Sequence, residues 1–158
     1  MTGSKRTSIA LLLSLAGPAA VIGCSTPTSA SERQQARLTA AMARWASNGG
    51  SDYQLEIAWA CSACPPESSD LLRIQVQGGQ ITEAFDVTAN QAITLNDRTL
   101  TVPQLFGFIQ QALDDQVFQL STEYDQALGY PVAVSIDRDA NTVNDEIAFQ
   151  VSSLQLSP

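Results

Sequence analysis

Histidine is absent from the 158 residues, and the single lysine, Lys5, lies almost at the N-terminus. Each absence removes a class of chemistry. Ser-His-Asp and Cys-His devices need an imidazole base, Schiff-base and Ser-Lys mechanisms need an amine, and most catalytic zinc sites need histidine ligands. Carboxylate and thiol chemistry survive. A carboxylate pair could run glycoside hydrolysis, but a chain of one ordinary domain has little room for a sugar cleft beside a core. No pair of acids stands out by its spacing, so the expectation is a protein that is not an enzyme and needs no cofactor.

What is present begins with an address. Lys5 and Arg6 precede an apolar run over residues 9–22 that Gly17-Pro18 interrupts. The run is too short and too broken to span a bilayer, so it reads as an export signal. It ends in Val21-Ile22-Gly23-Cys24, which resembles the lipobox of bacterial lipoproteins, where a branched apolar and a small residue precede the cysteine that is acylated. The resemblance implies a signal peptide over 1–23 and a lipid on Cys24, with each buried methylene adding about 0.8 kcal/mol to membrane attachment. An ordinary secretory signal cleaved near Ala20 or Gly23, or an uncleaved anchor, is the competing reading. Ser25 stands where an aspartate would resemble an inner-membrane retention signal, so the outer membrane or cell surface is the expected place. The folded part is expected to lie outside the cytoplasm, where disulfides persist.

Beyond residue 23, six arginines face sixteen acidic side chains, a net charge of −10. Such a surface repels phosphate backbones and anionic headgroups. Nucleic acid is therefore excluded as a partner, and membrane contact is assigned to the N-terminal lipid alone. The remaining partner class is an envelope protein or cell-surface component.

Residues 24–31 read as the lipidated cysteine and a short tether, and 32–158 as a single α+β domain. Ser31-Glu32-Arg33-Gln34 matches a capping box, and Leu38, Ala41, Met42 and Trp45 recur at helical spacing until Asn48-Gly49-Gly50. Alternation then marks strands through Tyr53, Leu55, Ile57 and Trp59 and through Leu72, Ile74 and Val76, with Gly78-Gly79 as the hairpin into a third strand over 81–87. Residues 89–100 show no pattern. Thr101, Pro103 and Gln104 start a second helix with Val102, Leu105, Phe106, Ile109 and Leu113 on one face. Three further strand signals carry Phe118-Leu120-Tyr124, Val132-Val134-Ile136 and Ile147-Phe149-Val151. The expected fold is α+β, two helices packed on an antiparallel sheet in the order α-βββ-α-βββ, a quasi-repeat in element order with little residue identity.

With Cys24 acylated, Cys61 and Cys64 remain. Three residues of extended strand would hold their Cα atoms about 10 Å apart, so a bond between them requires a turn, which Pro65 and Pro66 suit. The same prolines oppose a helix starting at Cys61, the arrangement a thioredoxin-like thiolate needs. Two thiols fall short of the four ligands of a zinc site. A structural disulfide is the expectation, with a thiol-disulfide redox pair and a metal site as the alternatives. Closing so short a loop stabilises by only about 2 kcal/mol.

Two loops complete the candidates. Asp137, Asp139, Asn141 and Asp145 place oxygen ligands as a calcium loop begins, but Thr142 and Ala148 stand where that loop wants glycine and a bidentate glutamate. A solvated hairpin loop is the simpler reading, and a weak divalent-cation site is the alternative. Gly129-Tyr130-Pro131 is a turn, with Tyr130 either packed down as an anchor or presented in a recognition loop.

Trp45, Asp52-Tyr53, Cys61, Cys64-Pro65, Gly78-Gly79, Thr101-Val102 with Leu105-Phe106, Tyr124-Asp125, Gly129-Tyr130-Pro131, Ile136-Asp137 and Asp145-Glu146 follow in order. This order resembles a family of bacterial secreted proteins and lipoproteins known only as a domain of unknown function, over residues 45–154. The resemblance implies an exported single domain and brings no catalytic residues. The functional expectation is a lipid-anchored, non-enzymatic interaction domain of the cell envelope.

Overall fold

The structure is a computed structural model that describes residues 29–62 and 70–157. Helix α1, Ala30–Asn48, precedes β1, Tyr53–Cys61, β2, Leu71–Gln77, β3, Gln80–Asp86, and β4, Gln91–Ala92. Helix α2, Val102–Asp114, then leads to β5, Gln119–Tyr124, β6, Pro131–Asp137, and β7, Ile147–Leu156.

All seven strands form one antiparallel sheet in the order β4-β3-β2-β1-β7-β6-β5. This overturns the expected α-βββ-α-βββ class. Of the described residues 39% are in strands and 26% in helices, so the chain is mostly β. Two physical features account for the difference. The fourth strand is only two residues long, entered from Asn90 at φ 55°, and its pairing with Phe85 and Asp86 needs no apolar alternation. The expected repeat also fails in space. The first meander starts at the centre with β1 and ends at an edge, whereas the second starts at the other edge with β5 and ends at the centre with β7. Equivalent halves would bring β1 beside β5, but β1 pairs with β7 from Tyr53↔Leu156 to Cys61↔Ile147.

Both helices cover the same face. Leu38, Ala41 and Trp45 of α1 and Val102, Leu105, Phe106, Ile109 and Ala112 of α2 share one core with Tyr53, Leu55, Ile57 and Trp59 of β1. Trp45 meets Tyr53 edge-on at 5.3 Å, and Trp59 meets Phe108 of α2 edge-on at 5.5 Å. Each such aromatic contact adds about 0.5–1.5 kcal/mol beyond area burial. Met42, expected on the buried stripe, is 45% exposed. The α1 capping box uses Ser29 and Glu32, two residues before the one expected, while that of α2 uses Thr101 and Gln104 as expected. No helix among the described residues is long and apolar enough to cross a membrane.

Candidate functional site

Because side chains alternate across a strand, one face of the sheet goes to the helices and leaves the other uncovered by them. On that open face the register sets small residues side by side across four strands. Ala60 pairs with Ala148, Ala148 with Ser135, and Ser135 with Ser121. The neighbouring row runs Ala58, Gln150, Ala133 and Glu123. Together they line a shallow trough of about 500 Å³ across β1, β7, β6 and β5. The other half of the face is polar, a hollow of about 230 Å³ with Gln54, Arg73, Gln75, Glu83 and Phe85. Between the two halves, Arg73 is 2.9 Å from Glu56 in an ion pair, and the Ser153 hydroxyl donates to the same carboxylate at 3.3 Å. The pair is neutral in sum and partly exposed, so its net contribution to stability is small.

The β5 edge is closed by contrast. Gln34 Nε2 donates to the Leu120 carbonyl at 3.1 Å and Arg37 Nη2 to the Thr122 carbonyl at 2.7 Å, so α1 caps edge strand β5. At the opposite edge β4 offers only two residues and pairs only with Phe85 and Asp86 of β3, so the start of β3 is also an edge. Capped and very short edges resist pairing with another strand. Small alanine and serine side chains on such a face let a partner surface approach closely.

The trough was not singled out in the sequence, although a signal existed. Alanine is depleted in strands, yet it fills the outward positions 58, 60, 133 and 148.

The sequence-derived candidates lie elsewhere. Cys24 and Cys64 fall outside the described residues. Cys61 ends β1 half-buried, and the next residue ties that strand end to the loop before β7: the Ser62 hydroxyl and N–H donate to the Glu146 carboxylate and carbonyl at 2.5 and 3.2 Å. The hydroxyl bond holds the Glu146 carboxyl below its ordinary pKa.

In the acidic loop, the backbone N–H and side chain of Asn141 and the hydroxyl of Thr142 all donate to Asp139. These bonds lower the pKa of Asp139, the backbone one most. The Asp145 carboxylate accepts the Asp139 N–H at 2.9 Å. One oxygen each of Asp137 and Asp145 is buried without a hydrogen-bond partner. Among the described residues no group of three His, Cys, Asp or Glu is placed to hold a metal ion.

In the turn before β6, Gly129 and Pro131 are buried, and Tyr130 packs partly buried against the core. Gly129 has φ +87°, and a Cβ there would clash with the Ala41 carbonyl of α1 and stand 2.8 Å from Arg44 Cβ. The Asp125 carboxylate accepts the N–H groups of Ala127 and Leu128. The turn is thus a docking point for α1, and Tyr130 is the most accessible of Gly129, Tyr130 and Pro131.

No curated protein and no solved structure matches the chain. The sequence model of one family does match, over residues 37–156, from the middle of α1 to the end of β7, and the chain belongs to that family, a family of unknown function (DUF6174).

Proposed function

We propose that the chain is a lipid-anchored, non-enzymatic binding domain on the outer side of a bacterial membrane, receiving an envelope protein or cell-surface component on the open face of its sheet. The observation that carries this reading is the one-sided sheet: helices on one face, edge strand β5 capped by α1, and a trough rich in alanine and serine on the other face. The lipobox at Cys24 supports the anchor, and the scarcity of lysine and histidine supports a role without catalysis. A Cys61–Cys64 staple fits an exported domain. The position of Cys61 at the end of β1, with Pro65 and Pro66 following, supports the staple over the redox alternative, because a thioredoxin-like thiolate starts a helix.

Cross-linking capture from native membranes tests the reading with four chains: wild type, Cys24→Ser, Ala60→Arg and Ser135→Arg. A partner captured by wild type and lost with either arginine, at unchanged melting temperature, supports the open face. Capture that survives both arginines removes it, and capture indifferent to Cys24→Ser removes the need for the anchor.

The unpartnered oxygens of Asp137 and Asp145 favour one second reading, a weak divalent-cation site in the 137–145 loop. Calcium should then raise the melting temperature of wild type and leave Asp137→Asn with Asp145→Asn unchanged. Equal response of both chains discards the site.

A further inference from the structure

Another concavity, of about 520 Å³, opens between the first turns of α1, the end of α2 and the start of β5. That volume falls within the roughly 300–1,000 Å³ of small-molecule sites. Its floor is apolar, with Leu113, Val117 and Leu120, and Phe118 stands beside them 62% exposed. A single exposed apolar side chain is ordinary on a protein surface; what marks Phe118 is that it extends an apolar floor. Arg33 and Arg37, one helical turn apart on α1, stand on the other wall, and the lining contains no acidic residue. The contrast with the rest of the surface is sharp, because two of the six arginines beyond residue 23 gather here in a chain with sixteen acids.

Arg37 is also held in place. Its Nη2 donates to the Thr122 carbonyl at 2.7 Å, and its guanidinium lies 5.9 Å from the centre of the Tyr124 ring. A guanidinium carries five N–H donors in a planar fork suited to carboxylate and phosphate, and the Thr122 bond uses one.

An apolar floor beside two arginines, one of them fixed, has a definite complement. We propose that this cleft binds an anionic amphiphile, an acyl chain with a carboxylate or phosphate head, its chain along Leu113, Val117, Phe118 and Leu120 and its head on Arg33 and Arg37. The chain upstream of the cleft agrees with that occupant. Ser29 caps α1 and Ala30 lines the cleft; the five residues back to position 24 span at most about 18 Å. If Cys24 carries the lipid, as proposed above, the cleft opens close to the bilayer that supplies such molecules. The local arginines make it an exception to the repulsion of anions expected from the chain as a whole.

Photolabelling of the full chain, mixed with phosphatidylcholine vesicles, tests this. Three probes bear a diazirine on the same acyl chain: palmitic acid, the matching fatty alcohol, and phosphatidylglycerol. The acid or the phosphatidylglycerol should label residues 112–120 roughly tenfold more than the alcohol, as expected for charge-assisted hydrogen bonds to the head. Arg33→Gln with Arg37→Gln should remove that preference, and Phe118→Asp, a change at an exposed position, should lower labelling should the double variant unfold. Labelling by the acid alone identifies a free fatty acid, and labelling by phosphatidylglycerol identifies a bilayer lipid. Equal labelling by the alcohol, label scattered outside 112–120, or indifference to the substitutions overturns the proposal. Cosedimentation with the vesicles reports the anchor separately, so loss of sedimentation with labelling by the acid intact would fault the anchor and leave the cleft.

Discussion

The phenolic oxygen of Tyr53, on central strand β1, accepts a hydrogen bond from the backbone N–H of Val102, the first residue of α2, at 2.9 Å. Both residues are 1% exposed. The first four N–H groups of a helix lack partners within it, and here each position is accounted for. Thr101 donates to the Gln104 side-chain oxygen, Val102 to Tyr53, Pro103 has no N–H, and Gln104 donates to the Thr101 hydroxyl. The start of α2 is therefore fixed over the middle of the sheet by a side chain 49 residues away.

Tyr53→Phe keeps the ring and its contact with Trp45 but leaves the buried Val102 N–H without an acceptor. The expected loss is about 1–3 kcal/mol, read as a lower urea midpoint with an unchanged slope. A midpoint equal to that of wild type would mean that water or another group replaces the phenol.

Alkali should act through the same residue. Burial raises the pKa of Tyr53, Tyr124 and Tyr130, with hydrogen bonds from Val102 and Thr101 opposing it at Tyr53 and the charge of Asp125 adding to it at Tyr130. A folded-state pKa above the ordinary 10.0 means that the native state holds its protons longer than the unfolded chain. The associated stability is complete below that value and is lost as pH rises through the folded-state pKa. Urea midpoints should therefore fall steeply in alkali, and Tyr53→Phe should fall less steeply than wild type.

Gly129 and Gly78 both have positive φ, at 87° and 56°, but only Gly129 lies against backbone. Alanine at 78 would meet nothing within 4 Å, so Gly78→Ala should cost about 1–2 kcal/mol for the left-handed conformation alone. Gly129→Ala adds a clash with the Ala41 carbonyl and Arg44 Cβ of α1, and roughly 3 kcal/mol or more is expected in all. Melting of the two variants side by side checks the order.

What the sequence made legible follows from how local each signal is. Alternation located β1 and β2 because one face of each is buried at every second residue, and Thr101 with Gln104 located α2 because a capping box closes within four residues. The first helix was harder, since Ser29 with Glu32 and Ser31 with Gln34 both satisfy that pattern, and only the folded chain selects the first. Phe118 reads as the start of a buried alternation, yet it lies outside β5 beside the cleft, 62% exposed. The open trough depends on which strands become neighbours, above all β1 with β7, whose partners lie about 90 positions apart. No local pattern encodes that pairing, so the alanines at 58, 60, 133 and 148 became a surface only in the assembled sheet.

The same long-range assembly exposes β5 as an edge, and Gln34 and Arg37 should be what keeps it from pairing. Each caps one carbonyl of β5, and Thr122 returns a hydroxyl hydrogen bond to Gln34 at 3.0 Å. An uncapped edge offers its polar groups to another strand. Gln34→Ala with Arg37→Ala should cost about 1–3 kcal/mol for the lost bonds. It should also raise concentration-dependent self-association above wild type, as read by light scattering. Gln111→Ala, an exposed change on α2 away from the edge, should leave association as it is. If the double variant is destabilised but associates no more than wild type, capping serves the packing of α1 and the edge is protected by other means.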